Sequence, residues 1–462
     1  MNFDQWIDEH QEQLIETTRE LMAYNSLEEA PYGNMPFGKT VGDCLDHALK
    51  ICSDLGFTTK NIDYYAGHAE YGEGDEMVGL LVHLDIVPAG DGWTVDPFAG
   101  IIQDGKLFGR GALDDKGPAA SLIYALAAIK ASGVKLNRRV RIIFGTNEET
   151  GSKCVDYYFE KEEMPTLGFT PDADFPAIFG EKGIMTFDLV KKVESQLEDG
   201  GYKIVKMSGG QRPNMVPDYA EAHIKGTQPF DHILSAYNEE KGSKIVKCVE
   251  GDVIIIKSYG VSAHGSTPEK GSNAISHLLC FLDCLDLTIG DAANFVRFYA
   301  MQIGLDLNGE RMACALEDEQ SGKLVLNAGV LHFDENTARL TVNIRYPITE
   351  TSEKVISGIM QTLEPWGMTM EDLDDSKPLY VPKDSELITT LMKVYSDYTG
   401  DHSEPIAIGG GTYAKALTQG VAFGPLFPGR EDTIHQKDEY VLVEDLILMT
   451  KIFATAIYQL AK

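Results

Sequence analysis

Carboxylates and imidazoles recur in this chain where apolar runs end. His83 and Asp85 follow the run Met77–Val82, and Asp114 and Asp115 close GRGALDD just before an Ala-rich stretch. Glu148 and Glu149 follow RVRIIFGTN, Asp172 follows LGFTP, and His435 stands in REDTIHQ after a Gly/Pro loop. Oxygen donors with imidazole and no thiolate suit zinc, manganese or cobalt. Two such ions need a bridging carboxylate and open positions, and a water activated by both is the usual hydrolytic device. An unligated Glu beside them would take the water's proton and pass it to the leaving group. The adjacent Glu148 and Glu149 cannot easily share one orientation, so they supply one base and one ligand. Asp85 can orient His83 from behind. Each residue alone has an ordinary reading as a cap or a solvated turn. Their repetition at strand ends is what points to chemistry.

The elements that must position them alternate. Helical patterns cover 4–25, 40–54, 115–132 and about 152–163, with Pro118 in a first turn where its missing N–H costs little. Strand patterns lie near 58–70, 77–87, 98–110, 139–145 and 167–172. This alternation implies an α/β domain with a mainly parallel sheet, whose ligands bind beyond the carboxyl ends of the strands. After GEKG the texture changes to longer, antiparallel-looking strands (MTFDLVKKV, YKIVKMS, DVIIIKSYG, ARLTVNIRYP) with helices near 272–288 and 352–365. The α/β texture returns at Lys377, with helices near 384–398 and 443–461, strands near 404–408 and 421–425, and the turn Gly409–Gly411. The expected organisation is a split α/β catalytic domain, 1–183 and 377–462, with helices flanking its sheet. A large α+β lid domain, 184–376, is inserted in it.

The chain has 462 residues, 43% of them hydrophobic, and 71 acidic against 40 basic residues give a net charge of −31. Nucleic acid and anionic membranes call for clustered Lys and Arg, so neither is expected as a partner. The 7 cysteines are odd in number and scattered without a CxxC, which favours reduced thiols over disulfides. The N-terminal stretch carries acids where a signal peptide needs a basic start, and no apolar run reaches membrane-spanning length. A cytoplasmic protein is expected.

The motifs VHLDIVPAGDGW, GRGALDDKGP, GTNEETG, FTPDADFP with GEKG, SAHGSTPEKG and AIGGGTYAKAL occur in this order over essentially the whole chain. Together they resemble the zinc metallopeptidase family that contains aminoacylase, carnosinase, tripeptidase and succinyl-diaminopimelate desuccinylase. Within it they are most similar to the bacterial PepV-type dipeptidases. The resemblance implies a dipeptidase with two divalent ions, zinc first and manganese or cobalt as alternatives. It implies that Asp114 bridges the ions, that His83 and Asp172 complete one site, and that Glu149 and His435 complete the other. Glu148 is then the general base and Asp85 orients His83. His264 stabilises the oxyanion, Arg345 grips the substrate carboxylate, and Asn214 is a further lid contact. Gly410 and Gly411 form a backbone cradle near the substrate carboxylate. Clamping both ends of the substrate would favour unblocked dipeptides, and the double-length lid implies a monomer. An N-acyl amino acid deacylase or desuccinylase on the same scaffold is the alternative; a non-catalytic peptide-binding protein is a remote one.

Overall fold

A computed structural model of the protein describes residues 2–195, 201–334 and 336–462. The chain divides into two compact units. The first contains residues 1–180, 381–406 and 411–462, and the second contains 181–380 and 407–410.

The first unit is built on one mixed sheet. Its strand order is Thr58–Ile62, Ala66–Tyr71, Arg139–Gly145, Met77–His83, Leu167–Thr170, Gly420–Phe423, Ala177–Glu181. The four central strands, Arg139–Gly145 to Gly420–Phe423, run parallel, and antiparallel strands flank them. Every residue of Met77–His83 is buried, as a strand covered on both faces requires. Leu81 and its register partner Ile143 pack into a cluster with Ile62, Tyr158 and Tyr413. The other face meets the helices Lys116–Ser132 and Val443–Ala461, which also pack on each other. Helix Lys116–Ser132 is buried from Lys116 to Ile129, because Ala and small residues let neighbours approach from all sides, and Gly133 stops it in the left-handed region (φ 71°).

Several local readings change; the helix expected near 272–288, for one, ends at Leu282. The strand expected near 58–70 is a hairpin whose turn puts Asp63 and Tyr64 at φ 52° and 59°. Such turns are usually marked by Gly or Asn-Gly, and this one is not. The helix expected over 4–25 is two, Phe3–Glu9 and Gln11–Met22, separated at His10, whose ring stacks on Trp6.

The second unit is an eight-stranded antiparallel sheet. Its order is Lys244–Glu250, Val253–Tyr259, Tyr219–Lys225, Lys203–Gly209, Val325–Phe333, Thr337–Tyr346, Gly183–Lys192, Thr369–Ser376. Phe187, Leu189, Ile224, Leu340 and Val342 alternate with polar neighbours and form a core with helices Asp231–Lys241, Ala274–Leu282, Asp291–Gln302 and Ser352–Leu363. Asn273 ends the approach to Ala274–Leu282 by accepting the Ser276 N–H at 3.0 Å. No described helix is long and apolar enough to cross a membrane.

Gly145 ends its strand level with His83. A Cβ at Gly145 would lie 2.2 Å from the Tyr413 hydroxyl, and the Tyr413 ring meets His83 edge-on at 6.0 Å. Gly145→Ala should therefore destabilise the fold by about 1–3 kcal/mol through overpacking. Urea unfolding of the variant beside the wild type measures it, and an unchanged midpoint would contradict the packing described.

Candidate metal centre

Every expected ligand lies in the first unit; His83, Glu149 and Asp172 lie at or just beyond the carboxyl ends of parallel strands, and Asp114 and His435 come from connecting segments. His83 is the last residue of its strand, Asp172 lies two residues beyond Leu167–Thr170, and Asp114 precedes helix Lys116–Ser132. Glu148 and Glu149 follow Arg139–Gly145 across a two-residue link. His435 adopts a left-handed backbone conformation, φ 62°. A non-glycine residue there costs on the order of 1 kcal/mol, and such costs collect at functional sites.

The side chains converge into two groups, His83–Asp114–Asp172 and Asp114–Glu149–His435, with the donor atoms of each within 4.8 Å of one another. Asp114 belongs to both. Its Oδ1 lies 2.8 Å from His83 Nε2, and its Oδ2 lies 2.8 Å from His435 Nε2. Asp172 Oδ1 is 3.8 Å from His83 Nε2, and Glu149 Oε1 is 3.2 Å from His435 Nε2. His83 Nε2 and Asp114 Oδ1 are buried and face each other, yet neither completes an aligned hydrogen bond. Donors aimed at one point without bonding each other fit a shared cation. The set of two imidazoles and three carboxylates fits a pair of divalent ions bridged by Asp114.

Glu148 joins neither group. Among the described residues its carboxylate makes no hydrogen bond or ion pair, whereas Glu149 meets His435. Both are placed by Asp85, whose Oδ1 and Oδ2 accept the Glu148 and Glu149 N–H groups at 3.0 and 3.1 Å. Asp85 also turns its main-chain carbonyl to His83 Nδ1 at 3.0 Å, with its carboxylate 3.5 Å away. One residue thus orients the imidazole and the Glu148–Glu149 turn together. Asp115 takes the His83 N–H at 3.1 Å and makes no side-chain cap to the helix that it precedes.

The electrostatics follow from crowding. Burial raises the Glu148 carboxyl well above its ordinary range, and the Asp172 charge adds to it. Burial and Asp114 push Asp172 up to about 6. Burial works against charged imidazoles, but the surrounding carboxylates outweigh it, holding His83 well above its usual value and raising His435 to about 11. Burial opposes the Asp114 carboxylate too, yet His435 and His83 pull its pKa below the ordinary range.

The expected lid residues lie elsewhere. Asn214, His264, Arg345 and Gly410 fall in the second unit, and Gly411 falls in the first. Within the second unit the Asn214 carbonyl accepts the Gly265 N–H at 2.7 Å, and Ser266 Oγ lies 2.6 Å from His264 Nδ1. A Cβ on Gly409 would meet Ser266 Cβ at 2.8 Å, and the Gly409 carbonyl accepts Arg345 Nη1 at 3.1 Å. These segments therefore form one cluster. Arg345 is 5% exposed and donates Nε to Asn343 Oδ1 at 2.9 Å. It has no carboxylate partner among the described residues, and burial lowers it to about 10. A buried guanidinium without an acid suits an anionic group brought from outside.

Residues 79–459 match the family model described as Peptidase family M20/M25/M40. The chain belongs to that family. It is 43% identical to "Putative dipeptidase YtjP" of Bacillus subtilis (strain 168), over 100% of both chains. Dug1p of Saccharomyces cerevisiae, described as a di-peptidase, shares the fold with TM-score 0.59 at 15% identity, covering 99% of this chain and 97% of that one. Human carnosine dipeptidase 1 does so with TM-score 0.56 at 18% identity, covering 99% and 98%.

Sequence reasoning missed Glu439 and Arg110. Both are fully buried, with Arg110 Nη1 2.6 Å from Glu439 Oε2. An acid four residues after His435 was visible; its burial was not.

The raised groups fix a pH dependence. In metal-free protein Asp172 keeps its proton between its ordinary 3.8 and about 6, and His435 keeps its proton between 6.5 and about 11. The folded state binds more protons than the unfolded one across both windows, so each contribution to stability is lost as pH rises through the folded value. Divalent ions need these groups deprotonated and release the protons on binding. The melting-temperature gain on adding Zn2+ to metal-free protein should therefore grow from pH 6 to pH 8. A gain that shrinks over that range would contradict the assignment.

Proposed function

We propose that the protein is a metal-dependent dipeptidase that hydrolyses unblocked dipeptides with two divalent ions, zinc first. The observation that carries this reading is the pair of ligand groups sharing Asp114, with the uncommitted Glu148 beside them. The dipeptidase name of the Bacillus subtilis relative supports it over the full length of the chain. In this reading His83 and Asp172 hold one ion with Asp114, Glu149 and His435 hold the other, and Asp85 fixes the imidazole. The ions, when bound, polarise the scissile carbonyl and make a water nucleophilic.

Glu148 takes the proton of the attacking water and delivers it to the leaving amine. Burial and the Asp172 charge raise its proton affinity, which favours taking the water's proton. His264 donates to the developing oxyanion, with Asn214 beside it in the same cluster. Arg345 takes the terminal carboxylate of the dipeptide, and Gly410 and Gly411 line that end with backbone. We further propose a monomer working in the cytoplasm. Its strong negative charge suits neither nucleic acid nor an anionic membrane.

Two measurements test the reading together. Glu148→Gln should bind divalent metal as the wild type does and lose roughly 100- to 10,000-fold in kcat. The wild type should hydrolyse Ala-His and Leu-Gly in preference to their N-acetyl forms. Full turnover by the variant would remove Glu148 as base, and preference for the blocked forms would make the enzyme a deacylase.

A further inference from the structure

Outside the ligand groups, one buried pair reaches the segments that carry them. The strand Tyr440–Leu442 adds antiparallel to Lys106–Phe108, and the Glu439 carbonyl accepts the Gly109 N–H at 2.9 Å. This pairing sets the register and turns the Glu439 side chain over the 111–114 turn. Its carboxylate there accepts three backbone N–H groups, from Gly111 at 3.2 Å, Leu113 at 2.9 Å and Asp114 at 3.3 Å. Arg110 meets the same carboxylate and donates through Nη2 to the Pro88 and Ala89 carbonyls at 3.2 and 3.4 Å. Arg110 also lies over the Trp93 ring, 5.4 Å from its centroid.

Three separate stretches thus meet on one ion pair: the one leaving His83 and Asp85, the one ending at Asp114, and the one leaving His435. A carboxylate that gathers consecutive backbone N–H groups fixes the peptide planes carrying them. The last of those planes belongs to Asp114. We infer that Glu439, held by Arg110, is a positioning residue that aims Asp114 at both ligand groups and anchors the segment of His435. The inference rests on the metal reading proposed above. It makes a specific claim about order: the Asp114–Glu149–His435 group has two donors on segments tied by Glu439, whereas His83–Asp114–Asp172 has one. Disturbing Glu439 should weaken the former group more.

A purely structural ion pair would change stability and leave metal affinity alone. The test is therefore metal binding by the folded protein, read by equilibrium dialysis against Zn2+ well below the melting temperature. Glu439→Asp keeps the charge beside Arg110 but withdraws the carboxylate by one methylene from the N–H groups. It should bind the first ion nearly as the wild type does and the second about 10- to 100-fold more weakly, the usual effect of losing a partner behind a ligand. Arg110→Met with Glu439→Gln removes both buried charges and also frees the Pro88 and Ala89 carbonyls on the stretch leaving His83, so it should weaken both ions. Two ions bound with wild-type affinity by either folded variant would overturn the inference alone. Failure of both variants to fold would make the pair a folding element and overturn it too. A wild type that takes up no divalent ion would overturn the metal reading and this inference with it.

Discussion

Carboxylates crowded at the ends of parallel strands are the constraint on which the first unit depends. Asp114, Glu148, Glu149 and Asp172 cannot all ionise in a recessed space without positive charge between them. The two imidazoles supply part of it, as their raised proton affinities record. Divalent ions bound as proposed would supply more charge at the same points, and the unbonded, facing atoms of His83 and Asp114 suit that exchange. A helix buried from Lys116 to Ile129 and a strand buried at every residue give the rigidity that holds like charges together.

The supports are mostly backbone. Asp85 places the imidazole with its carbonyl and the Glu148–Glu149 turn with its carboxylate. Asp115 holds the His83 N–H, and Glu439 holds the N–H groups up to Asp114. Peptide groups have little freedom once paired, so these contacts fix ligand directions more tightly than side-chain contacts at the surface could.

Much of the first unit was legible in the sequence because burial on both faces writes continuous apolar runs that end abruptly. Met77–Val82 before His83 and the helix Val443–Ala461 read directly. The second unit was less legible. Its sheet has a polar face, so strands such as Val325–Phe333, with the buried Asn327, and Lys244–Glu250, with its lysines, resemble loops. Helix Asp291–Gln302 starts at Gly290 without a side-chain cap and so lacks a start signal. In the centre itself, residue types and motif order were readable, while the support was not. Glu439 bonds backbone more than 300 positions earlier, and no local pattern marks a buried acid. The double use of Asp85 likewise appears only when two loops are brought together.

The central claim is that one carboxylate, Asp114, belongs to two ion sites while its neighbours belong to one each. Metal stoichiometry of Asp114→Asn beside Asp172→Asn tests it most directly, by elemental analysis after dialysis against limiting Zn2+. The Asp172 variant should keep one ion and the Asp114 variant none. Two ions retained by a folded Asp114→Asn would contradict it.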